Sequence, residues 1–299
     1  MLDVTLLGTG GVRPLPDRFL TSLLVKYRGR EILIDCGEGT QTAMRKYKKS
    51  LQEIDLICLT HFHGDHILGL PGLLMSMGLE GREKTLTVAG PKGVGEIVSL
   101  FRQLGPVLFP VRFIEVHDWQ EFYREDSLSI TAFSALHSTV CFGYRFDVSR
   151  SPKFDRERAE ALQIPLKYWN RLQHGETVAA DDKIYYPEDV LGGPRRGIRL
   201  SYYTDSRPTE HIAAMVEGSD LLIGEAMYPD DREKARERGH SSGTETAVLA
   251  KNAGVRELWL THYSPSFVNP GECAEQLRSI FADTVLPSDG MEKTLRFSE

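Results

Sequence analysis

The 299-residue chain has few cysteines, no long apolar run and no excess of basic charge. Its four cysteines (Cys36, Cys58, Cys141 and Cys273) are scattered, with no CxxC pair. A disulfide framework is therefore not expected, and free thiols in a reducing cytoplasm are. No stretch approaches the roughly 18 apolar residues that cross a bilayer. Met1-Leu2-Asp3 runs straight into the strand-like Val4-Thr5-Leu6-Leu7-Gly8, so no basic-then-apolar leader is expected. Lys and Arg number 36 against 42 Asp and Glu, a formal charge of −6. That balance argues against a purely electrostatic nucleic-acid binder. Hydrophobic residues, at 41%, are too abundant for a disordered chain.

What is present is an alternation of strand and helix patterns. Strand-type runs cover residues 20–27 and 31–35, a hairpin around Arg28-Gly29-Arg30, then 55–60, 85–89, 111–116, 128–133 and 142–146. Others cover 198–204, 220–223 and 257–261. Helices are expected after Gly39, with Thr40 as cap, and after Asp65, where Pro71-Gly72 should bend or delay the helix. Further helices are expected over 155–162, 209–216, 244–252 and 272–281. Residues from about 150 to 197 differ. Ser151-Pro152, Ile164-Pro165, Tyr186-Pro187 and Gly192-Gly193-Pro194 punctuate them, and they hold too few apolar residues for a core of their own. The expectation is a single domain over 1–299 that carries an inserted arm at about 150–197.

The strongest chemical signal is Thr60-His61-Phe62-His63-Gly64-Asp65-His66, with three imidazoles and one carboxylate within six residues at a strand end. Imidazole and carboxylate together suit zinc, manganese or iron(II), and no thiolate lies nearby to close a structural zinc site. One loop cannot complete two metal shells, so distant ligands are expected. His137, Asp205 and His262 each lie just past a strand-like run. A short echo supports a site built between two layers: Leu56-Ile57-Cys58-Leu59-Thr60-His61 and Leu258-Trp259-Leu260-Thr261-His262 both end an apolar strand in Thr-His. Gly8-Thr9-Gly10-Gly11 lacks dinucleotide and Walker spacing and reads as a turn near the site. His117, His174 and His211 lie in polar surroundings outside these motifs and are expected to be solvated, as is the basic run Arg45-Lys46-Tyr47-Lys48-Lys49, for which phosphate contact is the alternative.

These segments resemble the metallo-β-lactamase superfamily and, within it, the ribonuclease Z family of tRNA 3′-processing endonucleases. The resemblance is carried by Leu7 to Gly11, Ile34-Asp35-Cys36-Gly37-Glu38-Gly39-Thr40-Gln41, the His61 motif, and Gly69-Leu70-Pro71-Gly72-Leu73-Leu74. Phe142-Gly143-Tyr144-Arg145, Thr204-Asp205-Ser206-Arg207-Pro208, His240-Ser241-Ser242 and Leu260-Thr261-His262-Tyr263-Ser264 continue it along the whole chain. The resemblance implies an αββα four-layer sandwich and a dinuclear zinc phosphodiesterase that removes the 3′ trailer of precursor tRNA. It implies His61, His63 and His137 on one Zn2+, Asp65, His66 and His262 on the other, and Asp205 as the bridge, with Mn2+ or Fe2+ as alternative metals. Two such ions, about 3.5–4 Å apart, stabilise both the attacking and the leaving oxygens of a phosphodiester. Asp65 would be the general base, and His240 would assist the leaving group while Ser241 or Ser242 caps the next helix. A homodimer is also implied, the arm of one subunit serving the site of the other.

The chain departs from the family pattern in three places. The arm segment 164–176 has no Gly-Pro pair, and residues 150–199 hold ten basic and eight acidic side chains, a mild excess for a clamp. Tyr168, Trp169 and Arg171 could contact RNA or simply pack the arm. Gly224 precedes Glu225 where the family commonly has a histidine, and Tyr203 replaces the usual glycine before Thr204-Asp205. None of these removes a ligand. They leave open a second reading, an enzyme of the same fold acting on a small phosphodiester. A third, a non-catalytic RNA-binding scaffold, is disfavoured by the complete ligand set. Two divalent ions would bring the formal charge from −6 to about −2, so the acidic balance no longer weighs strongly against RNA.

Overall fold

A computed structural model describes residues 1–180 and 183–298. Fourteen strands form two seven-stranded sheets. The first contains β1 (Leu2–Gly8), β2 (Ser22–Tyr27), β3 (Arg30–Ile34), β4 (Ile54–Cys58), β5 (Leu86–Gly90), β6 (Val111–Glu115) and β16 (Met291–Leu295), in the order β16-β1-β2-β3-β4-β5-β6. The second contains β7 (Gln120–Glu125), β8 (Leu128–Leu136), β9 (Val140–Arg150), β12 (Arg195–Tyr202), β13 (Leu221–Glu225), β14 (Leu258–Thr261) and β15 (Thr284–Val285), in the order β15-β14-β13-β12-β9-β8-β7.

Burial on both faces of each sheet builds the four layers. Along β3, Ile32 and Ile34 join the cluster between the sheets, while Leu33 faces the helices outside. The inter-sheet core pairs Leu23, Val25 and Leu56 with Ile130, Tyr144, Leu200 and Ile223. Outside the first sheet, α1 (Thr40–Lys46), α3 (Leu70–Leu79) and α4 (Val94–Arg102) contribute Met44, Leu73, Leu74 and Val98. Outside the second, α7 (Glu210–Val216), α9 (Gly243–Asn252) and α10 (Ala274–Ile280) contribute Ile212, Met215, Ala247 and Leu277. The remaining helices are α2 (Gly64–Ile67), α5 (Arg156–Ala161), α6 (Leu166–Gln173) and α8 (Arg232–Arg238). The αββα expectation holds. Among the described residues no helix is long and apolar enough to cross a membrane, and all four cysteines are free.

Local details differ from the sequence reading. Thr40 does not cap α1: Gly39, at φ 89, is the cap residue, and the Thr40 hydroxyl donates instead to Gly37 O. Pro71 delays α3, as expected, by sitting in its first turn after the separate short helix α2. The inserted segment does have a small apolar cluster, Ala159, Ile164, Leu172, Val178 and Val190. It holds α5, α6 and a hairpin of β10 (Val178–Ala180) and β11 (Lys183–Tyr185). Its aromatics pack inward on one another: Trp169 Nε1 donates to Ile164 O, and the Trp169 ring lies 5.3 Å from Phe154. Arg171 pairs with Glu176.

The two sheets carry the site because of strand direction. β3 to β6 run parallel, as do β12 to β15. Their carboxyl ends release loops at one end of the sandwich, where polar residues can converge without disturbing either core. The two echoing strands prove to be β4 and β14, one in each sheet.

Candidate metal centre

The His61 segment leaves β4 and turns at once into α2, four residues long. His61 and His63 precede the helix, and Asp65 and His66 lie within it, so their side chains leave the backbone in different directions. Two backbone bonds pin the turn: Cys36 N–H to His66 O at 2.7 Å and Gly69 N–H to Cys36 O at 2.9 Å. Four more strands deliver the rest. His137 follows β8, Asp205 lies three residues past β12, Glu225 ends β13, and His262 follows β14.

Every ligand candidate named from the sequence reaches this point. His61, His63, His137 and Asp205 form one group, and Asp65, His66 and His262 a second, with the ligand atoms of each within 4.8 Å of one another. Asp205 stands between them. Its Oδ1 is 4.0 Å from His61 Nε2 and 3.8 Å from His137 Nε2, and its Oδ2 is 3.0 Å from His66 Nε2 and 3.2 Å from His262 Nε2. His61 Nε2 is buried without a hydrogen-bond partner among the described residues. Such an atom costs about 1–3 kcal/mol if left unmet, and a cation between the groups meets it. The donors are nitrogen and carboxylate oxygen, which fits zinc. Clusters of this composition suit a dinuclear zinc site, and a further overlapping cluster joins Asp205, Glu225, His240 and His262.

The electrostatics agree. Burial first, then neighbouring imidazoles, pushes His61 down to about 2, so its ring is neutral with a lone pair to give. Burial would also lower His66 and His262, but carboxylates outweigh it. Asp205 and Asp35 raise His66, and Asp205, Asp65 and Glu225 raise His262 to about 10. Burial would raise Asp205, yet His262 and His66 hold it well below the usual carboxylate range. A field that stabilises imidazolium equally stabilises a divalent cation.

Two carboxylates that the sequence reading named without giving them a role, Asp35 and Glu225, orient these ligands. Asp35 is fully buried and accepts from Thr60 N (2.8 Å) and the Thr60 hydroxyl, while its Oδ2 lies 2.8 Å from His66 Nδ1. That bond leaves His66 Nε2 facing the site, as a carboxylate–histidine pair does. Glu225, also fully buried, holds His240 Nδ1 at 2.5 Å and His262 Nδ1 at 3.2 Å on Oε1, and accepts Ser241 N and Ser206 N on Oε2. All four partners are donors, so the amide nitrogen of Glu225→Gln must oppose a donor in either orientation. The expected result is a loss of about 10–100-fold in zinc affinity. A zinc titration against a competing chelator reads it, and unchanged affinity would remove Glu225 from the orienting role.

His240 lies beside the second group. Its ring is 5.2 Å from His137 and 5.8 Å from His262, and its Nδ1 is 3.7 Å from Asp205 Oδ1. Ser242 caps α9 in a reciprocal bond with Glu245, the capping role expected of this pair of serines. Arg207 ties the region together by donating to His240 O and pairing with Glu245. The glycine-rich turn also lies at the site: a Cβ on Gly11 would sit 2.6 Å from His262 Nε2, and Val12 N–H donates to Asp65 Oδ2 at 2.6 Å. Of the histidines set aside, His211 is less solvated than expected and pairs with Asp118 at 2.9 Å, while His174 contacts Asn170 O in its own helix. The basic run is partly engaged, through Arg45 with Glu80 and Lys49 with Glu292.

Comparison with known proteins bears on the whole chain. A family model described as the anti-Pycsar protein Apyc1 matches residues 2–95. The fold is shared with human tRNase Z, short form, at a TM-score of 0.71 and 23% identity, covering 99% of this chain and 100% of that one. The ribonuclease Z of Agathobacter rectalis is 47% identical over 302 residues, all of both chains. That of Lachnospira eligens is 48% identical over 302 residues, covering 100% of this chain and 99% of its own. With identity of this order along its full length, the chain belongs to the ribonuclease Z family.

Proposed function

We propose that the chain is a zinc-dependent phosphodiesterase that removes the 3′ trailer from precursor tRNA. The observation that carries this reading is Asp205, whose two oxygens face different ligand groups. In this reading His61, His63 and His137 hold one ion, Asp65, His66 and His262 hold the other, and Asp205 bridges them. When bound, the ions supply Lewis acidity at the phosphoryl oxygens and an activated water.

The chain's own groups do the rest. Asp65 Oδ2, steadied by Val12 N–H, orients the water and takes its proton. With Nδ1–H donated to Glu225, His240 in its imidazolium form carries a second proton on Nε2, which it gives to the leaving 3′-oxygen to leave a neutral ring. Residues 1–299 act as one metallo-β-lactamase-like domain, and the segment at about 150–197 serves as an arm for substrate or dimer contact. Its apolar cluster supports an independently packed unit of that kind. A homodimer working in the cytoplasm completes the proposal, in keeping with four free thiols, three of them buried.

The test offers trailer-bearing precursor tRNA and a chromogenic phosphodiester in parallel to the zinc-loaded enzyme. A single cut at the tRNA 3′ side is expected. Hydrolysis of the small ester with the tRNA left intact would overturn the substrate assignment in favour of a small phosphodiester.

A further inference from the structure

The cleft above the ligand groups has a volume of about 600 Å³. Its lining includes two carboxylates, Asp65 and Asp205, both within the ligand groups, and three cations, Arg13, Lys234 and Arg238. The charge left over once the ligands are set aside is therefore wholly positive, in a chain whose formal charge is −6. All three cations are exposed, and among the described residues none meets a carboxylate. Lys234 Nζ rests 4.8 Å over the ring of Tyr228, another residue of the cleft wall.

Their placement is keyed to the catalytic groups. Lys234 and Arg238 stand four residues apart on α8, hence on one face of it. Asp231 caps the start of that helix and Ala235 buries its underside. Gly239 ends it at φ 73, and His240 N–H donates to Ala235 O at 2.8 Å, so α8 and His240 move as one piece. On the glycine-rich turn, Arg13 follows Val12, whose N–H holds Asp65. One phosphate at the metal centre offers a single anion to three cations. A strand with further phosphates would engage them.

We infer that Arg13, Lys234 and Arg238 are positioning residues for the phosphates that flank the scissile one, so that the site is built for an oligonucleotide or longer rather than a lone phosphodiester. This rests on the phosphodiesterase reading above and extends it to the substrate's neighbouring backbone. Each phosphate contact releases counterions and steepens the salt dependence of binding, by about 0.7 in log–log slope for a single strand and about 0.9 for a duplex. The exposed long side chains can be replaced without touching a ligand or the core.

The experiment compares the zinc-loaded parent with Lys234→Met/Arg238→Met on three substrates: precursor tRNA, a short single-stranded oligoribonucleotide and bis(p-nitrophenyl) phosphate. kcat/KM is measured across a series of salt concentrations. The loss is expected to be at least about tenfold greater on the RNAs than on the diester, with the salt slope on RNA shallower by about 1.5. An equal proportional loss on all three substrates with unchanged slope would mean that α8 only supports His240, and the inference falls. It falls also if the parent hydrolyses the diester and neither RNA. If the oligoribonucleotide shows the effect while precursor tRNA stays uncut, the flanking-phosphate role stands and the tRNA assignment alone is lost.

Discussion

Asp205→Ala is expected to lower kcat/KM by about 10⁴-fold or more and to leave fewer than two zinc ions per chain. The carboxylate faces His61 and His137 with one oxygen and His66 and His262 with the other, so its removal takes an oxygen away from both sets of imidazoles at once. It also takes away the main charge that raises His66 and His262, leaving their nitrogens without the anion that draws a cation between them. Asp205→Asn is the companion variant, since it keeps shape while discarding charge. Metal analysis after equilibration with excess zinc, hydrolysis of the chromogenic diester and circular dichroism separate loss of metal from loss of fold. Two ions retained with turnover within tenfold of the parent would refute the bridging role.

The same residue shows how far a sequence can be read. The His61 motif was legible because four ligand-type side chains crowd into six residues, and His137, Asp205 and His262 because each ends a strand-like run. Asp35 and Glu225 end such runs as well, and that shared position was the available signal. What hid their role is that they act through buried hydrogen bonds to His66, His240 and His262, pairings made across 15 to 37 residues of sequence. A second feature was also invisible. Asp35, Asp205 and His262 adopt φ of 57°, 49° and 57°, a left-handed backbone that costs roughly 1–3 kcal/mol and persists where the surroundings fix it. No residue type announces it, because Asp and His merely tolerate this region better than most.

Apolar periodicity made most of the fold readable, although α4 was missed despite its stripe of Val94, Ile97, Val98 and Phe101. α8 was missed because only Ala235 in its seven residues is buried, which leaves no periodic apolar stripe. α6 was missed behind Pro165, although a proline just before a helix is compatible with its start. The arm's core was missed for a different reason. Its five buried residues come from two helices, a hairpin and two separate connecting segments, so no short window contains enough of them to look like a core. β7 is an edge strand whose register shifts between Glu121 and Tyr123, which breaks the alternation that would have marked it.

Asp65→Ala separates chemistry from metal binding more cleanly than Asp205→Ala does. Asp65 sits on α2, whose backbone is held by Cys36, Gly69 and the His63 carbonyl and not by the Asp65 side chain. The circular dichroism spectrum should therefore match the parent's. Burial would raise the Asp65 carboxyl, but its hydrogen bond with His262 and the charge of His66 hold it well below the usual carboxylate range. It is thus held as the anion, the form that can both ligate a metal ion and orient a water. A general base contributes about 10²–10⁴-fold, so at saturating zinc turnover should still fall by about 10⁴-fold when the ligand is lost as well. The informative comparison is turnover against zinc concentration. If added zinc brings Asp65→Ala back to within tenfold of the parent, Asp65 is a ligand only and the proton must go elsewhere. If occupancy is restored and turnover is not, the carboxylate is required for the chemical step itself, which is what its contacts with Val12 N–H and His262 Nε2 prepare it for.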